Sequence, residues 1–449
     1  MKRNGSLWVW GMAAFFLLAV ADGALRKWVM PGQSLVLFVL KDVVLAGSFA
    51  LFALNHSPFQ LPRPVKGTWL PLFLGLYIYV VVLQAFNFTQ PNLAVRVLGL
   101  KAHLAYLPLL VLLPALLATL RRWTPEQLLL GYMGLVAVPV MLLGIYQFFQ
   151  PPTAWINKYV ADTEYVAGVA DHPRITGTFS YINGMTSFML FNTLLGFGVL
   201  VGGLMTGRRR LTWGGAVFLG VALVVLPMSG SRGPVYFSGL LIAGISALLL
   251  QRRGGGSSVF LALLLALGVA GGIATQTNVG EGWAALQERV ETTSDEEKRI
   301  EGMLSGPIRG IERAGLFGYG VGSLHQAAPR LVPGSSTASD WVPAGYVENG
   351  IMRIIFELGT LGWFVLLALK CTVAWMAYRA LRRARTAFGF AVSILTLGQG
   401  VLHIAFPVVF TVTTGITYWA AVGLLLYVWS CQELRKERGK QRMQNAVVS

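Results

Sequence analysis

Cysteine is almost missing: the 449-residue chain holds two, Cys371 and Cys431, so neither a disulfide framework nor a cysteine metal site is suggested. Histidine is nearly as scarce. His56, His103, His172, His325 and His403 stand far apart, without the short spacings that bring imidazoles onto one metal. Charge is the third deficit, at 12% of residues against about 25% in a soluble domain. Acidic residues are the shorter side of it, 19 Asp and Glu against 36 Lys and Arg. So little charge excludes an ordinary water-soluble fold. No internal repeat is visible, nor a pair of interrupted hydrophobic segments of the kind that marks ion-coupled transporters.

What is abundant is apolar: 55% of residues, with a mean hydropathy of +0.62. Runs of about 20 apolar residues, enough to cross a bilayer, recur near 6–21, 34–54, 68–87, 103–120, 127–149, 182–205, 211–228, 234–250, 257–274, 349–370, 387–405 and 408–430. The expected fold is an all-α polytopic membrane protein with about twelve transmembrane helices. Lys and Arg in the short connections set its orientation. With the N-terminus inside, inner segments carry twenty of them and the short outer loops seven, so both termini are cytoplasmic. Residues 1–274 then form helices 1–9, with an outer loop over 150–181. A large outer loop with an amphipathic helix, 275–347, separates helices 9 and 10. Residues 348–430 form helices 10–12, and 431–449 a basic cytoplasmic tail, disordered at its end.

The net charge of +17 invites a nucleic-acid reading. Topology and attraction to anionic lipid headgroups account for most of it, and no nucleic-acid motif accompanies it. The start, Met-Lys-Arg and an apolar run to Val20, imitates a signal peptide with small residues at 19–21; with eleven further spans, an uncleaved signal anchor fits better.

Several connections carry candidate chemistry. Residues 23–32 read as an amphipathic turn whose Arg26, Lys27 and Trp28 suit the membrane interface. Lys41 and Asp42, side by side in an apolar span, call for partners in the bundle. Residues 87–103 read as a segment lying on the outer surface, where Arg96, Lys101 and His103 face lipid phosphates or snorkel. The outer loop closes with H-P-R-I-T-G-T-F-S-Y-I-N-G, residues 172–184. Arg174, a Gly-Thr turn and Asn183 at a helix start suit an anionic or sugar ligand, although a plain capped helix explains Asn183 equally well. In P-M-S-G-S-R-G-P, residues 227–234, Arg232 stands close to membrane depth among small residues. It suits a bidentate diphosphate clamp or a headgroup anchor.

Residues 281–301 alternate in charge and read as a solvated or interfacial helix. The glycines at 315, 318, 320 and 322 follow no strand, so a nucleotide loop is rejected, and 333–343 has the composition of a mobile lid. The chain then enters G-Y-V-E-N-G-I-M-R-I-I-F-E-L-G-T-L-G, residues 345–362. Asn349, Arg353 and Glu357 are spaced i, i+4, i+8 along one helix face, with Glu348 at its mouth. Such groups at membrane depth look into the protein. An Arg353–Glu357 ion pair that only locks helices together is the structural alternative.

Taken together, these stretches resemble the bacterial O-antigen ligase and O-antigen polymerase family. Its ligases carry His, then Asn, Ser or Gln, then nine residues, Gly, two more, and Gly, Thr or Tyr. Here Asn349, Gly359 and Gly362 fit at their spacings, and Glu348 stands where the ligases have His. S-G-S-R-G, R-I-T-G-T-F from Arg174, and L-F-G-Y-G-V-G-S-L over 316–324 are similar to further elements of that family, in order along the chain. The departure at Glu348 favours a polymerase or another branch.

The resemblance implies a multi-pass inner-membrane protein whose active site faces the periplasm. It implies inverting, metal-independent glycan transfer from a polyprenyl-diphosphate-linked donor to a glycan or lipid acceptor. The partners are those lipid-linked glycans and membrane lipid, with no nucleic acid and no cofactor. Arg232 would neutralise the diphosphate, assisted by Arg174 or Arg353, and Glu348 would be the general base, with His325 as the alternative. Arg174, Asn183, Asn349, Arg353 and Glu357 would line the substrate site. The rival readings are a transporter or flippase of lipid-linked glycans, and a non-catalytic member of a polysaccharide assembly.

Overall fold

The structure is a computed structural model describing residues 7–56, 65, 67–120, 122–160, 168–169, 172–251, 281, 283–284, 287, 296–332 and 350–448. Its helices are α1 (Leu7–Ala24), α2 (Ser34–Ala53), α3 (Leu70–Ala85), α4 (Leu93–Leu104), α5 (Leu109–Thr119), α6 (Pro125–Tyr132), α7 (Val138–Phe148), α8 (Ile182–Thr206), α9 (Arg209–Met228) and α10 (Arg232–Leu250). There follow α11 (Glu296–Ala314), α12 (Ala328–Leu331), α13 (Gly350–Arg383), α14 (Ala387–Ala405) and α15 (Val412–Val448). A π-helical turn, Met133–Ala137, makes α6 and α7 one span. Two short strands, Gly168–Val169 and His172–Pro173, pair antiparallel.

Among the described residues, nine helices are long and apolar enough to cross a membrane, and ten if α4 and α5, bent by 42°, form one span. The chain is an all-α polytopic membrane protein. Local sequence explains many of the boundaries. Asn92 caps α4 by accepting from Val95 N at 3.0 Å, Thr124 and Gln127 form a reciprocal capping box at α6, and Gly207 ends α8 with φ +68°.

The centre of the bundle is built on α8, which is apolar on every side and therefore belongs inside. Water provides no drive between helices in lipid, so close backbone approach does the packing. A Cβ at Gly198 or Gly202 would stand 2.8 Å or 2.6 Å from the carbonyl oxygens of Ala391 and Ala387 on α14. On α9, a Cβ at Gly215 would stand 2.5 Å from Leu200 N.

Several expectations are corrected. Residues 93–104 form a helix, α4, that buries Val95, Gly99 and His103 and exposes Leu93 and Val97. The turn at 23–32 is mostly helical, with a π-helical segment Leu25–Val29 and a 3-10 turn Pro31–Gln33. Helix α13 is much longer than 349–370 and is broken at Gly359, with φ +75° and ψ 172°. Helix α15 continues through the expected disordered tail to Val448, since its Arg, Lys, Glu and Gln are good helix formers and Glu433 pairs with Arg383 on α13. The expected span at 257–274 and the expected lid at 333–343 lie outside the described residues.

Candidate functional site

Two glycine-bearing loops are held against the bundle by side chains distant in sequence. The first runs from Arg174 to Tyr181. Lys27, from the π-helical segment after α1, donates to Thr176 Oγ1 at 2.9 Å and to the Gly177 carbonyl at 2.8 Å. Gln147 of α7 accepts from the amides of Thr176 and Gly177 at 3.2 and 2.7 Å and donates to the Gly177 carbonyl at 3.2 Å. Gly177 has φ +54°, and Gly23 of α1 leaves room for the Phe179–Ser180 peptide, whose atoms a Cβ would meet at 2.3 Å. These contacts fix the loop, because buried backbone groups without partners would each be costly.

That loop delivers Arg174 to the turn between α9 and α10. Its Nε donates to the Ser229 carbonyl at 3.0 Å and its Nη2 to Ser231 Oγ at 2.7 Å. Gly230 takes φ +61° in the turn, and Arg232 is the first residue of α10, buried at 8% exposure. Beside this turn lies a cavity of about 230 Å³ between the first turns of α8, α10 and α15 and the last turn of α14. Ser187, Gly233, Pro234, Phe237, His403 and Thr414 are among its lining residues. Asn183 lies in the first turn of α8 with an exposed side chain, and the N-cap position is Tyr181. The capped-helix explanation of Asn183 is therefore overturned.

The second loop, Gly315 to His325, has positive φ at Gly315, Gly318, Gly320 and Gly322. It crosses α13 at the break. Tyr319 N donates to the Phe356 carbonyl at 2.6 Å, and Thr360 N donates to the Gly315 carbonyl at 3.1 Å. A Cβ at Gly359 would stand 2.1 Å from Leu316 O, so only glycine permits this crossing. Gln84 and Asn87 bind the loop from the α3 end, and Gln90 donates to the Val321 carbonyl at 2.6 Å.

Arg353 and Glu357 meet this loop. Arg353 donates to the Leu324 carbonyl, with its guanidinium 3.9 Å from the centre of the Phe410 ring. Glu357 has no exposed surface; its Oε1 accepts from Leu324 N at 3.2 Å, and its Oε2 is 2.9 Å from His103 Nε2. The hydroxyl of Tyr77 is 2.9 Å from His103 Nδ1. Glu357 thus joins α13 to α3 and α4 through His103 and Tyr77 rather than through the expected ion pair with Arg353, whose guanidinium goes to the Leu324 carbonyl. His103, expected among lipid phosphates, is buried. Lys101 pairs with Asp42 at 2.9 Å, and Lys41 with Asp22 at 2.9 Å, which identifies the partners that Lys41 and Asp42 required. Glu348 and Asn349 lie outside the described residues.

His325 closes the second loop, half-buried. Burial pushes its imidazole down to about 4, with Glu357 opposing that shift and Arg353, Lys101 and His103 adding to it. The structure therefore joins Arg174 to the Arg232 turn and joins Arg353, Glu357 and His325 in one cluster. Lys27, Tyr77, His103 and Gln147 went unrecognised from sequence as residues of these sites. His103 and Gln147 carried a usable signal, as polar residues inside or at the end of apolar runs. No protein-family model matches this chain, and no characterised protein matches it at significant similarity.

Proposed function

We propose that the protein is a glycosyltransferase of a bacterial inner membrane that transfers or polymerises glycans from a polyprenyl-diphosphate donor at the periplasmic face, with both termini cytoplasmic. The observation carrying this reading is the junction of Arg174 with the Ser229–Arg232 turn. Arg174 reaches 55 and 57 residues along the chain to the Ser229 carbonyl and Ser231 Oγ, in the turn that leads into Arg232 and lies beside the cavity lined by Gly233 and Pro234. In the reaction, an acceptor hydroxyl oxygen bonds to the donor's anomeric carbon while the bond from that carbon to the diphosphate oxygen breaks. Arg232 and Arg174 stabilise the charge that develops on the departing polyprenyl diphosphate, and Glu348 takes the acceptor's proton. Attack opposite the leaving group inverts the anomeric centre.

The test uses purified protein in nanodiscs with lipid-linked oligosaccharides from the native host, following chain length and released polyprenyl diphosphate by mass spectrometry. Longer glycans with stoichiometric release, lost in Glu348→Ala, are expected. Normal product from that variant would remove Glu348 as base. Arg232→Lys is expected to lose about 100-fold in rate, because lysine lacks the bidentate fork; an undiminished rate would reduce Arg232 to a headgroup anchor.

One observation favours a second reading, a transporter or flippase of lipid-linked glycans. Helix α13 is interrupted at Gly359 two residues after the buried Glu357, and interrupted helices beside buried ionisable groups are typical of transport sites. Unchanged glycans together with flipping in sealed vesicles would favour this reading.

A further inference from the structure

His325 is the one side chain of the second loop whose chemical task the transferase reading leaves open between base and bystander. Its main chain is fixed from both sides: its N–H donates to the Gly322 carbonyl at 3.0 Å, and its own carbonyl accepts from Ala328 N at 2.8 Å. The preceding peptide is gripped by both of its polar groups, Leu324 N–H by Glu357 Oε1 at 3.2 Å and Leu324 C=O by Arg353. Arg353 and Glu357 lie one turn apart on α13, so a single helix face holds Leu324. His103 braces Glu357, and Tyr77 braces His103, both at 2.9 Å.

The ring itself is oriented by Ala327, whose backbone N–H donates to His325 Nδ1 at 3.1 Å. A ring nitrogen that accepts a hydrogen bond carries no proton, so the neutral imidazole keeps its proton on Nε2. Nε2 makes no hydrogen bond to a described residue.

We propose that His325 is a neutral hydrogen-bond donor, presenting Nε2–H to a phosphoryl or sugar oxygen of a bound ligand, and that Arg353 and Glu357 are its positioning residues. This replaces the role of alternative base. With Nδ1 engaged and Nε2 protonated, the ring has no lone pair to offer an acceptor hydroxyl. Burial holds the imidazole uncharged at neutral pH, against Glu357 and together with Arg353, Lys101 and His103. Which oxygen it meets rests on the transferase reading; the donor state of the ring does not.

The test is nitrogen NMR on full-length protein in nanodiscs with isotope-labelled histidine, the His325 resonances being identified by their loss in His325→Gln. The expected spectrum has Nε2 protonated and Nδ1 bare, unchanged from about pH 5.5 to about pH 8. A proton on Nδ1, or titration near about pH 6.5, would overturn the proposal. Glu357→Gln, whose carboxamide oxygen still accepts from Leu324 N, keeps the single tautomer, whereas Glu357→Ala and Arg353→Ala bring in the second. An unchanged single tautomer in both alanine variants would remove the positioning role. Inorganic pyrophosphate or a neutral methyl glycoside is expected to shift the Nε2 resonance, the one that does so naming the oxygen; a shift with neither defeats the ligand half. In the transfer assay His325→Gln, which places an amide N–H near Nε2, keeps the rate within about threefold, while His325→Asn loses about tenfold or more. Equal loss in both would restore the base. Failure of wild-type transfer would defeat the transferase reading and leave the tautomer result standing.

Discussion

Glu357 and His103 show how a membrane interior makes single residues matter. Neither touches water to any extent, and removing one partner of a buried, hydrogen-bonded pair leaves the other without compensation. His103→Ala is expected to cost about 3–5 kcal/mol, since it leaves the buried Glu357 without its partner. Reversible unfolding in mixed micelles measures it, with His103→Gln recovering part of the loss. A second residue-scale expectation concerns pH. Folding lowers the His325 imidazole from 6.5 to about 4, so between those values the unfolded chain binds the extra proton. Stability is complete above about pH 6.5 and falls as pH drops toward about 4. His325→Gln should flatten that part of the pH–stability curve in detergent, and an identical slope would refute it. Arg353 and Glu357 were legible in sequence as polar residues at membrane depth. The pairing of Glu357 with His103, 254 residues away, was not, because nothing local to either residue signals it.

At the scale of elements, the break in α13 and the glycine loop are one device. The loop's backbone takes the hydrogen-bonding positions that α13 gives up at Gly359, and this satisfies both segments at a depth where water is scarce. Gly359→Ala should therefore be severe. It combines a positive φ with a Cβ 2.1 Å from Leu316 O, and a cost of at least about 2 kcal/mol is expected. Protease nicking in the glycine loop should rise in parallel, and wild-type resistance would show that the crossing can relax. The glycines at 315, 318, 320 and 322 were visible in sequence, and all four take positive φ. That they serve a helix crossing was not readable, since a break in a helix depends on what packs against it. The loop from Arg174 is similar: its Gly-Thr turn was legible, and its fastening by Lys27 and Gln147 was not.

At the scale of the whole molecule, the N-terminal ends of α8, α10, α13 and α15 gather at one end of the bundle, with the cavity among them. Arg208, Arg209 and Arg210 lie at the opposite end of α8, exposed. On the proposed topology, with both termini cytoplasmic, the cavity end faces the periplasm. In a background with Cys371 and Cys431 replaced, Tyr181→Cys should react with a membrane-impermeant maleimide in intact cells, and Arg210→Cys only after lysis. The reverse pattern would invert the topology and remove the periplasmic site.

The sequence by itself determined the membrane class, most of the spans and the two glycine-bearing loops. A bilayer imposes length and apolarity on each span separately, and a turn that needs glycine needs it locally, so both leave their mark within about twenty residues. Only the tertiary structure decided that Arg174 reaches the Arg232 turn, that Glu357 answers His103, and that the chain crosses its own helix at Gly359. Those pairings satisfy buried polar groups between distant segments, and the need for a partner is written in the sequence while the partner's identity is not.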